Sequence, residues 1–156
     1  MAAAVGSKAP DFTLKNQDLQ DVTLSAACGA QATGLAFFPA AFTSVCTKEL
    51  CTFRDQLARL NQAKAQVFGI SVDTPFTLKA FAKENGLNFP LLSDFNKDVI
   101  KAYGVYLEDL LGLKGLAKRA VFLVDRQGII RHVEVTATPG NEPDYAKLNA
   151  AIAALG

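Results

Sequence analysis

A chain of 156 residues, half of them hydrophobic and with a formal net charge of +1, is long enough for one domain, residues 1–156, with a core of its own. A domain of this length buries roughly 70% of its unfolded surface, so it needs neither disulfides nor a metal to fold. The near-neutral balance with no basic run argues against a nucleic-acid or membrane surface.

The opening "MAAAVGSKAPDFTL" has no basic leader and no long apolar stretch, so neither a signal peptide nor a membrane span is expected. Three cysteines, an odd number, point to a reducing compartment, and the expected location is cytoplasmic. Next, "DFTLKNQDLQDVTL" alternates apolar and polar residues around a polar turn and predicts a hairpin, Phe12 to Lys15 and Gln20 to Leu24. "SAACGAQ", with Cys28, reads as a turn. "ATGLAFFPA" is a buried strand closed by Pro39. From Ser44 to Leu60, Val45, Leu50, Phe53, Leu57 and Leu60 recur at helical spacing.

"AQVFGISVD" is a β-branched apolar run, hence a central strand. "PFTLKAFAKENG" opens on Pro75 and closes on Gly86, a helix with both ends marked. "FPLLSD" is a short strand, and "KDVIKAYG" a short helix stopped by Gly104. "RAVFLVDRQGIIRHVEV" makes two strands around a turn, and Pro143 to Leu155 an Ala-rich helix. A hairpin followed by β-α-β-α-β-α-β-β-α predicts an α/β thioredoxin-like fold, a central mixed sheet flanked by helices.

The chemistry concentrates in "FFPAAFTSVCTKELC", Phe37 to Cys51. Thr43 or Ser44 is a natural N-cap. With Thr43 as cap, Cys46 takes the third helical position, facing orphan backbone N–H groups and the positive end of the helix dipole. Both favour a thiolate. Yet a free cysteine is already a few per cent ionised at neutral pH, so complete ionisation raises the reactive fraction only about 10–30-fold. Donors aimed at the developing charge must supply the rest, and Thr43 Oγ and backbone N–H groups are the local candidates. Taken alone, Cys46 also reads as small apolar filler at a helix start.

Pro39-Ala-Ala-Phe-Thr43-Ser-Val-Cys46 resembles the P-x-x-x-T-x-x-C motif of peroxiredoxins, which are thiol peroxidases. The resemblance extends to "GSKAPDFTL", to the flanking "AFFP" and "CTKELCTFRD", and to "KRAVFLVDRQGIIR", and so spans nearly the whole chain. It implies that Cys46 is the peroxidatic nucleophile, that Thr43 hydrogen-bonds thiolate and peroxide, that Arg119 holds the thiolate and polarises the peroxide, and that Pro39 shields the pocket. Without the motif, Arg119 reads as a strand-end surface charge. Glu49, one helical turn from Cys46, either positions Arg119 or stays solvated.

Cys51, five residues after Cys46, fits the Q-type, bacterioferritin-comigratory branch, in which the second cysteine resolves the sulfenic acid as an intramolecular disulfide. "AFTSVCTKEL" and "TPGNEPDY" look closer to the E-type alkyl hydroperoxide reductases, many of which lack that cysteine. The alternatives for Cys51 are therefore a resolving thiol or a packed thiol near Leu50 and Phe53. Residues five apart on one α-helix lie about 7.5 Å apart along the axis and about 140° around it, hence roughly 8–9 Å between Cα atoms. A disulfide wants less than about 7 Å, so a bridge requires the first turns to unwind. Cys28 carries no motif and is expected to be inert.

The resemblance further implies a hydrogen peroxide or organic hydroperoxide substrate, no cofactor, recycling by thioredoxin or a related dithiol protein, and a monomer or homodimer. Three other classes fit less well. A dithiol carrier needs C-x-x-C, and this chain has C-x-x-x-x-C. A zinc module needs more ligands than two cysteines and His132, the single histidine, which is expected to face solvent. A binding domain with a degenerate site would need a damaged motif. A one-cysteine peroxidase served by an external thiol remains open beside the two-cysteine cycle.

Overall fold

The computed structural model describes residues 3–155, and of Leu57 and Ala58 the backbone alone. The opening hairpin pairs β1 (Thr13–Asn16) with β2 (Asp21–Thr23), with Thr13 opposite Thr23. Asn16 Oδ1 closes the turn by accepting from the Asp18 and Gln20 N–H groups at 2.9 and 3.0 Å. The stretch expected to be a turn is instead a helix, α1 (Leu24–Ala30). Leu24 and Cys28, one turn apart, are both buried, and Asp11 Oδ1 accepts the Ser25 N–H at 2.9 Å. Tertiary burial and a cap borrowed from outside thus make a helix that local propensity does not announce.

β3 (Ala32–Phe37) is buried along its whole length. The helix expected to run from Ser44 to Leu60 is two pieces, α2 (Ser44–Asp55) and α3 (Leu57–Gln62), parted at Gln56. The Gln56 N–H is shared between the Thr52 and Phe53 carbonyls, which tightens the backbone locally. Leu50, Phe53 and Leu60 stay buried across the break, so apolar spacing does not register it.

β4 (Ala65–Ser71) runs parallel to β3. α4 (Pro75–Asn85) is capped by Thr74, whose hydroxyl accepts from the Thr77 N–H, and ends at Gly86 with φ of 61°. Next come β5 (Leu91–Ser93), α5 (Asp98–Ala102) and a two-stranded ribbon, β6 (Tyr106–Leu107) with β7 (Leu116–Ala117), that the sequence pattern did not suggest. β8 (Ala120–Val124) and β9 (Ile130–Val135) form the second hairpin, and Asp144 caps α6 (Tyr145–Ala154).

The seven-stranded sheet has the order β2-β1-β5-β4-β3-β8-β9. Its centre, β3 to β5, is parallel, and β1 and β8 join antiparallel. This is the expected mixed sheet of a thioredoxin-like fold. Strand alternation splits the core in two. Ala36 and Phe38 face a cluster with Cys46, Leu50 and Phe53 of α2, Leu78 and Phe81 of α4, and Leu148 and Ile152 of α6. Leu35 and Phe37 face the other, with Leu24 and Cys28 of α1, Val99 and Ile100 of α5, and Tyr103. Among the described residues, no helix is long and apolar enough to cross a membrane.

Gly69 lies in β4, beside Leu91, Phe38 and Leu50 of α2. A Cβ there would stand 2.8 Å from Leu91 Cδ2 and 3.3 Å from Phe38 Cε1. Gly69→Ala is expected to cost about 1–3 kcal/mol by overpacking, read as a lower urea midpoint. An unchanged midpoint would show that Leu91 swings aside freely.

Candidate active site

Phe37 at the end of β3 is in register with Ile70 of β4 and with Ala120 at the start of β8. The chain leaves β3 through Phe38 and Pro39, both buried, and must turn sharply to start α2 over the same end of the sheet. Carboxyl ends of parallel strands are where an open α/β sheet collects its chemistry. Here the turn is made by Ala40 to Thr43. Phe42 has φ of 68°, a left-handed conformation that costs a bulky residue about 1–3 kcal/mol. Its half-exposed ring packs on Phe81, centroids 5.1 Å apart.

Thr43 occupies the N-cap position with extended backbone, as expected, but its hydroxyl does not cap. It donates instead to the Ala40 carbonyl at 2.8 Å, inside the same turn, and not to the Cys46 sulfur. Cys46 falls at the third position of α2 and is fully buried. From the opposite side, the guanidinium of Arg119, the residue before β8, reaches the thiol: Nη2 donates to Cys46 Sγ at 3.0 Å. Nη1 donates to Glu49 Oε1 at 2.8 Å, and Nε to the Pro139 carbonyl at 2.9 Å. The Arg119 carbonyl in turn accepts from Thr136 N–H. All three faces of the guanidinium fork are therefore anchored, and the planar group is held still beside the sulfur.

Arg119 and Glu49 are 2% and 0% exposed, so this pair is neither the surface charge nor the solvated acid that the sequence left open. Burial pushes the Glu49 carboxyl up to about 7, against the pull of Arg119, and the negative charges of Glu142 and Glu134 add to the push. Among the described residues, Glu49 Oε2 has no hydrogen-bond partner. Burial works against the Arg119 charge, but the Cys46 sulfur and Glu49 outweigh it, so the guanidinium holds its proton more firmly than a free one.

Cys51 lies on α2 as well, half-buried against the core, with Sγ 3.9 Å from Asn85 Oδ1 near the end of α4. Cys28, Cys46 and Cys51 are all free. Cys28 is on the other face of the sheet, and burial raises its thiol above the usual range. His132 does not face solvent as expected. It pairs opposite Leu123, on the face that α6 covers, and among the described residues its buried Nε2 lacks a partner. Among the described residues, no group of three His, Cys, Asp or Glu side chains could hold a metal. A cavity of about 620 Å³, lined by Lys64, Arg126 and Arg131 among others, sits at the amino ends of β3 and β4, away from Cys46.

Two groups at the site escaped the sequence reading. The Pro139 carbonyl carried no signal. Asp73, whose Oδ2 accepts the Ala41 N–H at 2.8 Å in the turn before α2, did stand at the end of "SVD", where an acid between a strand and a helix cap looks unremarkable.

A buried thiol at a helix start, gripped by an anchored arginine on a thioredoxin-like sheet, has the surroundings of a reactive cysteine. Residues 5–133 match the AhpC/TSA family. Alkyl hydroperoxide reductase E of Mycobacterium tuberculosis is 44% identical over 153 residues, 97% of either chain. Chloroplastic peroxiredoxin Q of Triticum aestivum is 42% identical over 128 residues, 82% of this chain and 57% of that protein. The crystal structure of peroxidoxin BcpB from Mycobacterium tuberculosis superposes with a TM-score of 0.84 at 31% identity, covering 98% of this chain and 96% of that one. The chain belongs to the AhpC/TSA family and is a peroxiredoxin of the Q-type and E-type kind, an oxidoreductase that reduces peroxides with a thiol.

Proposed function

We propose that Cys46 is the peroxidatic cysteine and that Cys51 resolves it. The observation that carries the first assignment is the 3.0 Å contact from Arg119 Nη2 to Cys46 Sγ. The Cys46 thiolate attacks the nearer peroxide oxygen and the O–O bond breaks. Sulfur loses two electrons and becomes a sulfenic acid, and the departing alkoxide or hydroxide takes a proton. Arg119 holds the thiolate and faces the charge that moves onto the leaving oxygen. The Thr43 hydroxyl turns from Ala40 toward the peroxide, and Pro39 keeps water out. The exposed Phe42, four residues before Cys46, supplies apolar surface suited to organic hydroperoxides as well as hydrogen peroxide.

In the second step the Cys51 thiolate attacks the sulfenic sulfur, a disulfide forms and hydroxide leaves. Thioredoxin or a similar dithiol protein then reduces the disulfide by exchange. Both cysteines sit in unbroken α2, a geometry in which the bridge cannot close. The first turns of α2 must therefore unwind after Cys46 is oxidised, at the low cost typical of element ends. The enzyme works as a monomer or homodimer, and its odd number of cysteines suits the cytoplasm.

Thiol mapping tests this reading. One equivalent of hydrogen peroxide is expected to give a Cys46–Cys51 bridge with Cys28 free. A sulfenic acid on Cys46 with Cys51 still free would overturn the two-cysteine cycle. The second reading, a one-cysteine enzyme served by an external thiol, would then hold. It is favoured by the lodging of Cys51 against Asn85 rather than toward Cys46.

A further inference from the structure

We infer that Asp73 is a positioning residue for peroxide reduction. It fixes the turn Ala40–Thr43 over Cys46 while touching neither the thiol nor the peroxide. This rests on the reading of Cys46 as the peroxide-reactive thiol.

The turn contains a left-handed Phe42. A bulky residue stays in that conformation only where its surroundings leave no alternative. Two contacts constrain it here. The Phe42 ring lies on Phe81, and the Ala41 N–H donates to Asp73 Oδ2 at 2.8 Å. The second contact grips the backbone itself, one residue before the strained position. It thereby fixes the Ala40 carbonyl, which accepts from Thr43, and the entry into α2. Asp73 is in turn held by its own partners. Its Oδ2 accepts from the fully buried Ser71 hydroxyl at 2.7 Å, and its carbonyl accepts from Ser93 Oγ at 2.6 Å, tying the ends of β4 and β5 together. A rigid acceptor built on two strand ends therefore sets where the Thr43 hydroxyl and the first N–H groups of α2 stand relative to the sulfur.

Peroxide and an alkylating agent make different demands on this turn. Both need the Cys46 thiolate, which Arg119 supports from the β8 side, independently of Asp73. Only peroxide needs donors aimed at its oxygens. Misplacing such groups by about 1 Å costs on the order of 10²-fold in rate. In Asp73→Ala the rate constant of reduced protein with hydrogen peroxide is expected to fall roughly 10²-fold, while alkylation of Cys46 by iodoacetamide holds or rises. Asp73→Asn keeps an oxygen acceptor for Ala41 and Ser71 and is expected to recover most of the loss.

Equal falls in both rates, or no fall in either, would overturn the inference, as would Asp73→Asn behaving like Asp73→Ala. Cys46→Ser in the same series separates the two levels. If that variant still reacts with peroxide at the parent rate, the reading of Cys46 is wrong, whatever Asp73→Ala does.

Discussion

Arg119→Ala is expected to slow the reaction of the reduced protein with hydrogen peroxide by roughly 10²–10³-fold, the usual loss for one preorganised donor at a developing charge. The guanidinium touches Cys46 Sγ at 3.0 Å and is locked by Glu49 and Pro139, so it reorganises little as charge moves from sulfur to oxygen. Arg119→Lys is expected to recover little. An ammonium is a point charge on a flexible stem and cannot span the thiol, the carboxylate and the carbonyl together. The measurement is the second-order rate constant from competition for peroxide, since a chain without tryptophan gives a poor fluorescence signal. A rate within about 3-fold of the parent would remove Arg119 from the transition state.

The same substitution has a stability signature. Removing one partner of a buried ion pair commonly costs about 3–5 kcal/mol, because a buried charge is left alone. Glu49 has an escape, since its carboxyl already sits at about 7 and can take a proton. The loss in Arg119→Ala should therefore be smaller at pH 6 than at pH 8.

What could be read in the sequence divides by distance along the chain. The place of Cys46 at the third position of α2 was legible because Pro39, Thr43 and Cys46 are local, and a helix start is decided locally. The Arg119–Glu49–Cys46 cluster joins residues 70 and more positions apart. No periodicity in either segment announces that meeting, and only the family resemblance suggested Arg119. Asp73 was missed for a related reason. Its job is to accept a backbone N–H from another segment, and backbone groups look alike in every sequence. In the fold, long periodic elements were legible. The seven-residue α1 was not, since it is too short to form by propensity and depends on burial of Leu24 and Cys28. The break at Gln56 was hidden because a single tight turn leaves Leu50, Phe53 and Leu60 facing the same core.

Glu49 should make the folded protein lose stability as pH rises from 4.5 to about 7. Its carboxyl is pushed up to about 7 from an ordinary 4.5, first by burial, opposed by Arg119, and then by Glu142 and Glu134 facing it from the loop before α6 and from β9. Cys46 lies one turn away on the same helix and shares its guanidinium. Between 4.5 and about 7 the unfolded chain gives up this proton while the folded chain keeps it. The folded state then binds more protons, so stability falls with rising pH across that window. The contribution is fully present below 4.5 and gone above about 7, and it amounts to no more than about 3 kcal/mol. Asp11, Asp125 and Glu142 are shifted downward, so their slopes lie at lower pH and run the other way. Buried Asp94 is raised and adds to the fall, which makes the difference between parent and variant the quantity to measure. Glu49→Gln keeps an oxygen for Arg119 Nη1 and removes the titration. Urea unfolding from pH 5 to pH 8 should show the parent declining relative to Glu49→Gln, with most of the divergence below pH 7. Parallel curves would mean that Arg119 keeps Glu49 ionised throughout.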